Sequence, residues 1–144
     1  MKLIQKYLNP YTDFGFKKLF GEEASKDLLQ DFLNQLLPAH HQIASLQFNN
    51  SEMLNATEGE RKAIFDIYCQ TQDGTRFIVE MQKAKVKYFK DRSLFYSTFP
   101  IREQAEKGEW DFQLVPVYFI AILDFHYDEF NDTQKFRRDV CLKD

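Results

Sequence analysis

Two acids, Asp66 and Glu80, fall at even positions of neighbouring segments that alternate apolar and polar residues. In Ala63–Gln70 the odd positions Phe65, Ile67 and Cys69 are apolar, and in Arg76–Gln82 so are Phe77, Val79 and Met81. Strand side chains alternate faces with period 2, so the odd sets point to one core and the even sets share the opposite face. Asp66 is therefore expected beside Glu80 and Gln82. Asp73-Gly74 between the segments is a hairpin signal. A two-residue loop there would set Asp66 against Met81, on the core side, and break the pattern. An odd-length loop, a type I turn followed by Gly74 in a left-handed bulge, sets Asp66 against Glu80 or Gln82. Like charges opposed across strands repel. A divalent cation relieves that repulsion: two carboxylates can hold Mg²⁺ with several retained waters, one of them poised to attack a phosphodiester. The alternative is the solvated face of an amphipathic hairpin, against which Ile64, Tyr68 and Ile78 on the same face argue.

Lys83, Lys85, Lys87, Lys90 and Arg92 follow the acids directly, with Tyr88 and Phe89 among them. At the start of a helix beside a metal site, such a run can grip DNA phosphates; as a solvated helix face it would do nothing specific. Lys17 and Lys18 read as solvated surface, with contact to a DNA backbone as the alternative. His40-His41 follows Pro38 in a loop, and adjacent histidines in an extended segment point apart, so a shared metal is not expected. Neither a Ser–His–Asp nor a Cys–His arrangement stands out, and no Gly-rich loop is built to cradle phosphate.

The elements that must hold the acids follow from periodicity. Thr12 or Asp13 can cap a short helix over Phe14–Phe20 that ends at Gly21. Leu28, Leu29, Phe32, Leu33, Leu36 and Leu37 lie at helical spacing, and Pro38 stops that second helix. Ile43–Phe48 reads as a strand and Asn49–Gly59 as a polar connection. Val86–Lys107 reads as a helix that Pro100 kinks or splits, ending before Gly108. Leu114–Leu123 is nearly all apolar, which predicts a central strand covered on both faces. Helix, three strands, helix, strand is an α/β order built round a mixed sheet. A core over 1–124 is expected, with 125–144 the start of a C-terminal element, as if cut from a longer protein.

With 144 residues, 44% of them hydrophobic and 28% charged, the chain fits one domain and is neither disordered, collagen-like nor disulfide-stapled. A net charge of −3 excludes a globally basic nucleic-acid binder, so any grip on phosphate must be local. Cys69 and Cys141 lack metal-ligand spacing, which fits a reduced, cytoplasmic setting without a zinc site. The opening MKLIQKYLNP lacks a signal-peptide h-region, and no apolar run approaches the ~20 residues of a membrane span.

Asp66 followed by Glu80-Met81-Gln82 on the next strand resembles the Asp…(Asp/Glu)-x-Lys signature of PD-(D/E)xK nucleases. The surrounding segments are more specific: Thr12-Asp13-Phe14-Gly15-Phe16-Lys17-Lys18-Leu19-Phe20-Gly21, Asp31-Phe32-Leu33-Asn34 and Phe77-Ile78-Val79-Glu80-Met81-Gln82. With Arg92, Tyr96, Gly108 and Val115-Pro116-Val117, they are similar to the PD-(D/E)xK nuclease family transposases, over roughly residues 9–124. The resemblance implies a restriction-endonuclease-like αβββαβ core and a metal-dependent DNA endonuclease tied to recombination or mobile elements. Mg²⁺, with Mn²⁺ as substitute, would be held by Asp66 and Glu80. Gln82 takes the place of the signature lysine; it can orient a water but supplies no charge. Lys62, on the even face, is the candidate substitute. Asp13 is a candidate accessory ligand or a helix cap. In this setting Arg92 and Tyr96, four apart on one helix face, would either point over the metal, Arg92 towards phosphate or Glu80, or form a structural Arg–Tyr stack. DNA is the expected partner and a second copy of the chain a candidate one. The competing reading is a catalytically weak or silent nuclease-like domain that binds DNA or a protein.

Overall fold

The computed structural model describes residues 7–53, 63–105, 110–126 and 136–141. Its first helix, α1 (Asp13–Phe20), starts where Thr12 Oγ1 accepts the amide of Gly15 at 2.9 Å, satisfying an otherwise orphaned donor. Gly15 is required there: a Cβ would lie 1.9 Å from the carbonyl oxygen of Asn9 in the preceding turn. Helix α2 (Lys26–Leu36) follows, its Leu29 and Leu33 fully buried. Burying each is worth about 1.5–3 kcal/mol. The apolar stripe is narrower than its leucine spacing suggests, since Leu28 is 47% exposed.

The main sheet has four strands in the order β1 (Leu46–Phe48), β4 (Ile67–Thr71), β5 (Arg76–Gln82) and β6 (Val117–Leu123). The first two contacts are antiparallel and the last is parallel. Two short strands, β2 (Glu52–Met53) and β3 (Ala63–Ile64), pair separately. Helix α3 (Phe89–Arg102) connects β5 to β6. Helices α1 and α2 cover one sheet face and α3 the other, giving the mixed α/β architecture of a restriction-endonuclease-like fold. Phe16, Leu29 and Leu33 pack with Ile67, Cys69, Phe77 and Val79 on the first face. Tyr68 and Ile78 pack with Ala63, Phe65 and Phe99 on the second.

Four sequence expectations are corrected. Ile43 does not begin a strand: its amide and carbonyl are both taken by the Asn34 side chain, at 2.7 and 3.0 Å, so strand pairing starts at Leu46. Ala63–Gln70 is not one strand but β3 and β4 with a bend at Asp66. That bend costs one step of parity, so Phe65 joins Tyr68 and Ile78 rather than Ile67 and Cys69. The 114–123 run begins pairing at Val117, after Pro116, which has no amide to donate. Among the described residues β6 is the half-buried edge of its sheet, not a central strand. Finally, α3 starts only at Phe89, after Tyr88 takes a left-handed turn (φ 58°), and ends at Arg102, passing through Pro100 without splitting. Gly108 lies outside the described residues. No described helix is long and apolar enough to cross a membrane.

Candidate active site

The β4–β5 turn sets the register on which the site depends. Thr71 donates to the Thr75 carbonyl at 2.9 Å and Gly74 to the Thr71 carbonyl at 3.0 Å, enclosing Gln72, Asp73 and Gly74. Gly74 is left-handed at φ 87°, as the odd-length bulge requires. Asp73 Oδ1 accepts the Thr75 amide at 3.2 Å and the Thr71 hydroxyl, which holds the turn. Gln70 then faces Arg76, Tyr68 faces Ile78, and Ile67 faces Val79. One step further, Asp66 stands opposite Glu80.

At that step the ladder changes partners. The Asp66 amide donates to Glu80 Oε1 at 3.2 Å, and the Met81 amide donates to Asp66 Oδ2 at 2.9 Å. Each acid thus takes a backbone donor of the opposite strand, and the two carboxylates converge where the strands part. Glu80 is only 4% exposed and Asp66 is half-buried. Burial, then the charge of Asp66, pushes the Glu80 carboxyl up to about 7, against the pull of the Asp66 amide and Arg92. Asp66 is also raised, first by burial, while the Met81 amide, Lys17 and Arg92 oppose the rise.

Arg92 reaches the pair from the first turn of α3. Its Nη2 donates to Glu80 Oε2 at 3.2 Å and to Gln82 Oε1 at 3.3 Å. Its guanidinium lies 5.3 Å from the Tyr96 ring centre and 5.8 Å from that of Phe89, so two aromatic faces hold it. Gln82 is fixed at its other end, where Nε2 donates to the Ala84 carbonyl at 3.0 Å. Asp66, Glu80, Gln82, Arg92 and Tyr96 are therefore brought together.

The other expected residues divide. Lys83, Lys85 and Lys87 lie in the connection after β5 and not on a helix, while Lys90 is on α3. Lys62 lies outside the described residues. Asp13 does not cap its helix, a role Thr12 fills; it pairs with Lys17 at 2.8 Å. Lys17 is more than the plain surface lysine read from sequence. Its pKa is raised, first by the Asp13 hydrogen bond, and the charges of Asp66 and Glu80 add to the rise. The helical spacing of Phe16 and Phe20 carried the signal: if those rings face the sheet, Lys17 sits at the edge of that face. The segment of His40 and His41 is not extended with the two rings pointing apart: they occupy a helical turn with ring centres 4.5 Å apart. His41 Nδ1 is 3.1 Å from the Tyr118 hydroxyl.

Asp66 and Glu80 supply two hard oxygen donors, and no cluster of three His, Cys, Asp or Glu exists among the described residues. That set fits Mg²⁺ or Mn²⁺, which accept one or two carboxylates and complete their shell with water and phosphate, and does not fit structural zinc. A family model described as PD-(D/E)XK nuclease family transposase matches residues 10–144. No curated protein and no solved structure gives a significant match.

Proposed function

The chain belongs to the PD-(D/E)XK nuclease family transposases, and from that premise we propose that it is a DNA endonuclease dependent on a divalent metal, Mg²⁺ or in its place Mn²⁺, held by Asp66 and Glu80. The observation that carries this reading is the mutual hold of the two acids, each bonded to the other's strand, with both carboxylates converging at one bend. A buried acid facing a half-buried one repels it, and Arg92, bonded to Glu80 alone of the two, offsets only part of that charge, an arrangement that a divalent ion would complete. A bound divalent ion would lower the pKa of a water and neutralise charge on the leaving oxygen.

The chain's own groups do the rest. Gln82 has a second N–H and a second lone pair beyond those used by Ala84 and Arg92, enough to orient a water. Lys83, Lys85 and Lys87 leave the end of β5 beside the acids, and with Lys90, Arg92 and Tyr96 they form the surface on which the DNA backbone would lie. A specific observation favours the silent-domain alternative: Gln82 carries no charge where the signature has lysine. A plasmid-nicking assay with Mg²⁺ or Mn²⁺ separates the two. Metal-dependent nicking that disappears in Asp66→Ala is expected; equal rates in parent and variant would remove the assignment.

A further inference from the structure

We propose that Arg92 supplies, from helix α3, the positive charge that the family signature takes from a lysine on β5. The inference rests on the nuclease reading of Asp66 and Glu80. Gln82 occupies the lysine position, and its side-chain oxygen is turned onto Arg92 Nη2 at 3.3 Å. The same nitrogen is 3.2 Å from Glu80 Oε2. The cation therefore sits between the acid that would bind metal and the residue at the lysine position.

Three further observations fit a working charge better than a structural ion pair. The Arg92 side chain is 31% exposed where that of Glu80 is 5%, so the arginine reaches solvent while the acid it pairs with does not. The Arg92 Nε is buried and has no hydrogen-bond partner among the described residues, so the guanidinium is anchored through Nη2 and not by its full set of donors, as a purely structural ion pair would be. Phe89 and Tyr96 hold the guanidinium plane, which presents its N–H groups as the fixed fork that suits phosphate. Lys17 is the other cation that the two acids feel, but Asp13 already matches its charge at 2.8 Å. Arg92 is matched by Glu80, the carboxylate that a metal would claim. With Glu80 so engaged, Arg92 keeps Gln82 as its anchor and is left with an unmatched charge directed at the substrate.

The test uses the full chain and four variants, R92Q, R92K, Q82K and R92Q/Q82K, with Mn²⁺ titration calorimetry, plasmid nicking and thermal melts. R92Q should bind Mn²⁺ several-fold more tightly, because a cation beside Glu80 is gone, and yet nick about 100-fold more slowly. Metal binding and activity moving in opposite directions is a result that mere loss of packing does not give. Q82K placed on top of R92Q should bring nicking back to within about tenfold of the parent, and R92K should lie between parent and R92Q. Weaker Mn²⁺ binding together with a lower melting temperature in R92Q and R92K would make the arginine a packing residue and overturn the proposal. So would parental nicking by R92Q, or an R92Q/Q82K protein that melts normally and stays slow. A parent that neither binds Mn²⁺ nor nicks is a different failure: it removes the carboxylate reading, and this inference with it.

Discussion

Arg76, at the start of β5, is ion-paired with Glu103, just past the end of α3, in the reverse polarity of the Glu80–Arg92 pair at the other end of the same two elements. Strand acid meets helix base near the site, and strand base meets helix acid at the far end. Between them Ile78 and Tyr68 pack against Phe99, and Phe65 lies edge-on to Tyr68, Tyr96 and Phe99. The two polar clamps fix how far α3 slides along β5, and a slide of one residue would carry Arg92 away from Glu80 by ~1.5 Å.

Glu103→Gln should loosen the far clamp alone. Arg76 and the Tyr68 hydroxyl both donate to Glu103, and the Arg76 side chain is 17% exposed, so both donors lose a charged acceptor. Glu103 itself is more than a third exposed, which holds the effect to about 1 kcal/mol. Urea denaturation should show the midpoint falling with an unchanged slope. Mn²⁺ affinity, measured on the folded protein, should stay at the parental value.

Glu80→Gln should make the metal-free protein more stable at high pH. The Glu80 carboxyl is raised from 4.5 to about 7, so the native state binds its proton more tightly than the unfolded chain does. The stabilisation that goes with the neutral form is complete below about pH 4.5 and is lost as pH climbs towards 7. Asp66, raised as well, acts in the same direction. Melting temperatures recorded in chelator should therefore fall between pH 5 and pH 8 for the parent and fall less for E80Q. Added Mn²⁺ should reverse the order at pH 8, because binding to the ionised pair stabilises only the parent. A parent whose melting is flat across this window would contradict the buried, facing acids.

The pairing of Asp66 with Glu80 was legible because it needs only strand parity and a glycine able to take positive φ, both local properties of 63–82. The bend at Asp66 was not, since it arises when the Glu80 side chain takes the Asp66 amide, a contact between positions 14 apart. Parity then carries Phe65 to the α3 face, and Tyr68 and Ile78 make that face as apolar as the other, so alternation cannot mark which side is core. The edge position of β6 was hidden for a similar reason. Its side chains pack on both faces, Tyr118 stacked on Phe77 of β5 at 5.1 Å on one and Phe119 edge-on to Phe89 of α3 on the other, so the run reads as central although it pairs only with β5 among the described strands. Glu103 reaches Arg76 and Tyr68 through tertiary packing, which spacing does not encode.

Single replacements of Lys83, Lys85 and Lys87 by alanine should separate phosphate contact from ordinary surface. Each lysine that touches a phosphate releases counterions on binding, so its loss should flatten the log–log salt dependence of duplex binding by about 0.9. Fluorescence anisotropy in chelator, from low to moderate salt, reads this without cleavage. Unchanged slopes in all three would leave the segment after β5 a solvated connection and confine DNA contact to α3.

Gly74→Ala tests whether the turn or the sheet enforces the register of the acids. An added Cβ would meet only Val115 methyls, at 3.8 Å, so crowding is not the obstacle; φ of 87° is. Alanine in that region should lower stability by about 1 kcal/mol or more, and Gly74→Asn by less, because asparagine tolerates left-handed backbone. Relief by a two-residue turn would shift the pairing by one and set Asp66 against Met81. That slip would also exchange Ile67 and Cys69 with Tyr68 across a sheet whose faces are both buried, so every swapped side chain would meet the wrong core. The strained turn should therefore persist. Urea titrations should show the stability loss in both variants, while Mn²⁺ binding per folded molecule stays parental. Weaker Mn²⁺ binding in the folded Gly74→Ala protein would mean that the glycine, and not the two cores, holds Asp66 opposite Glu80.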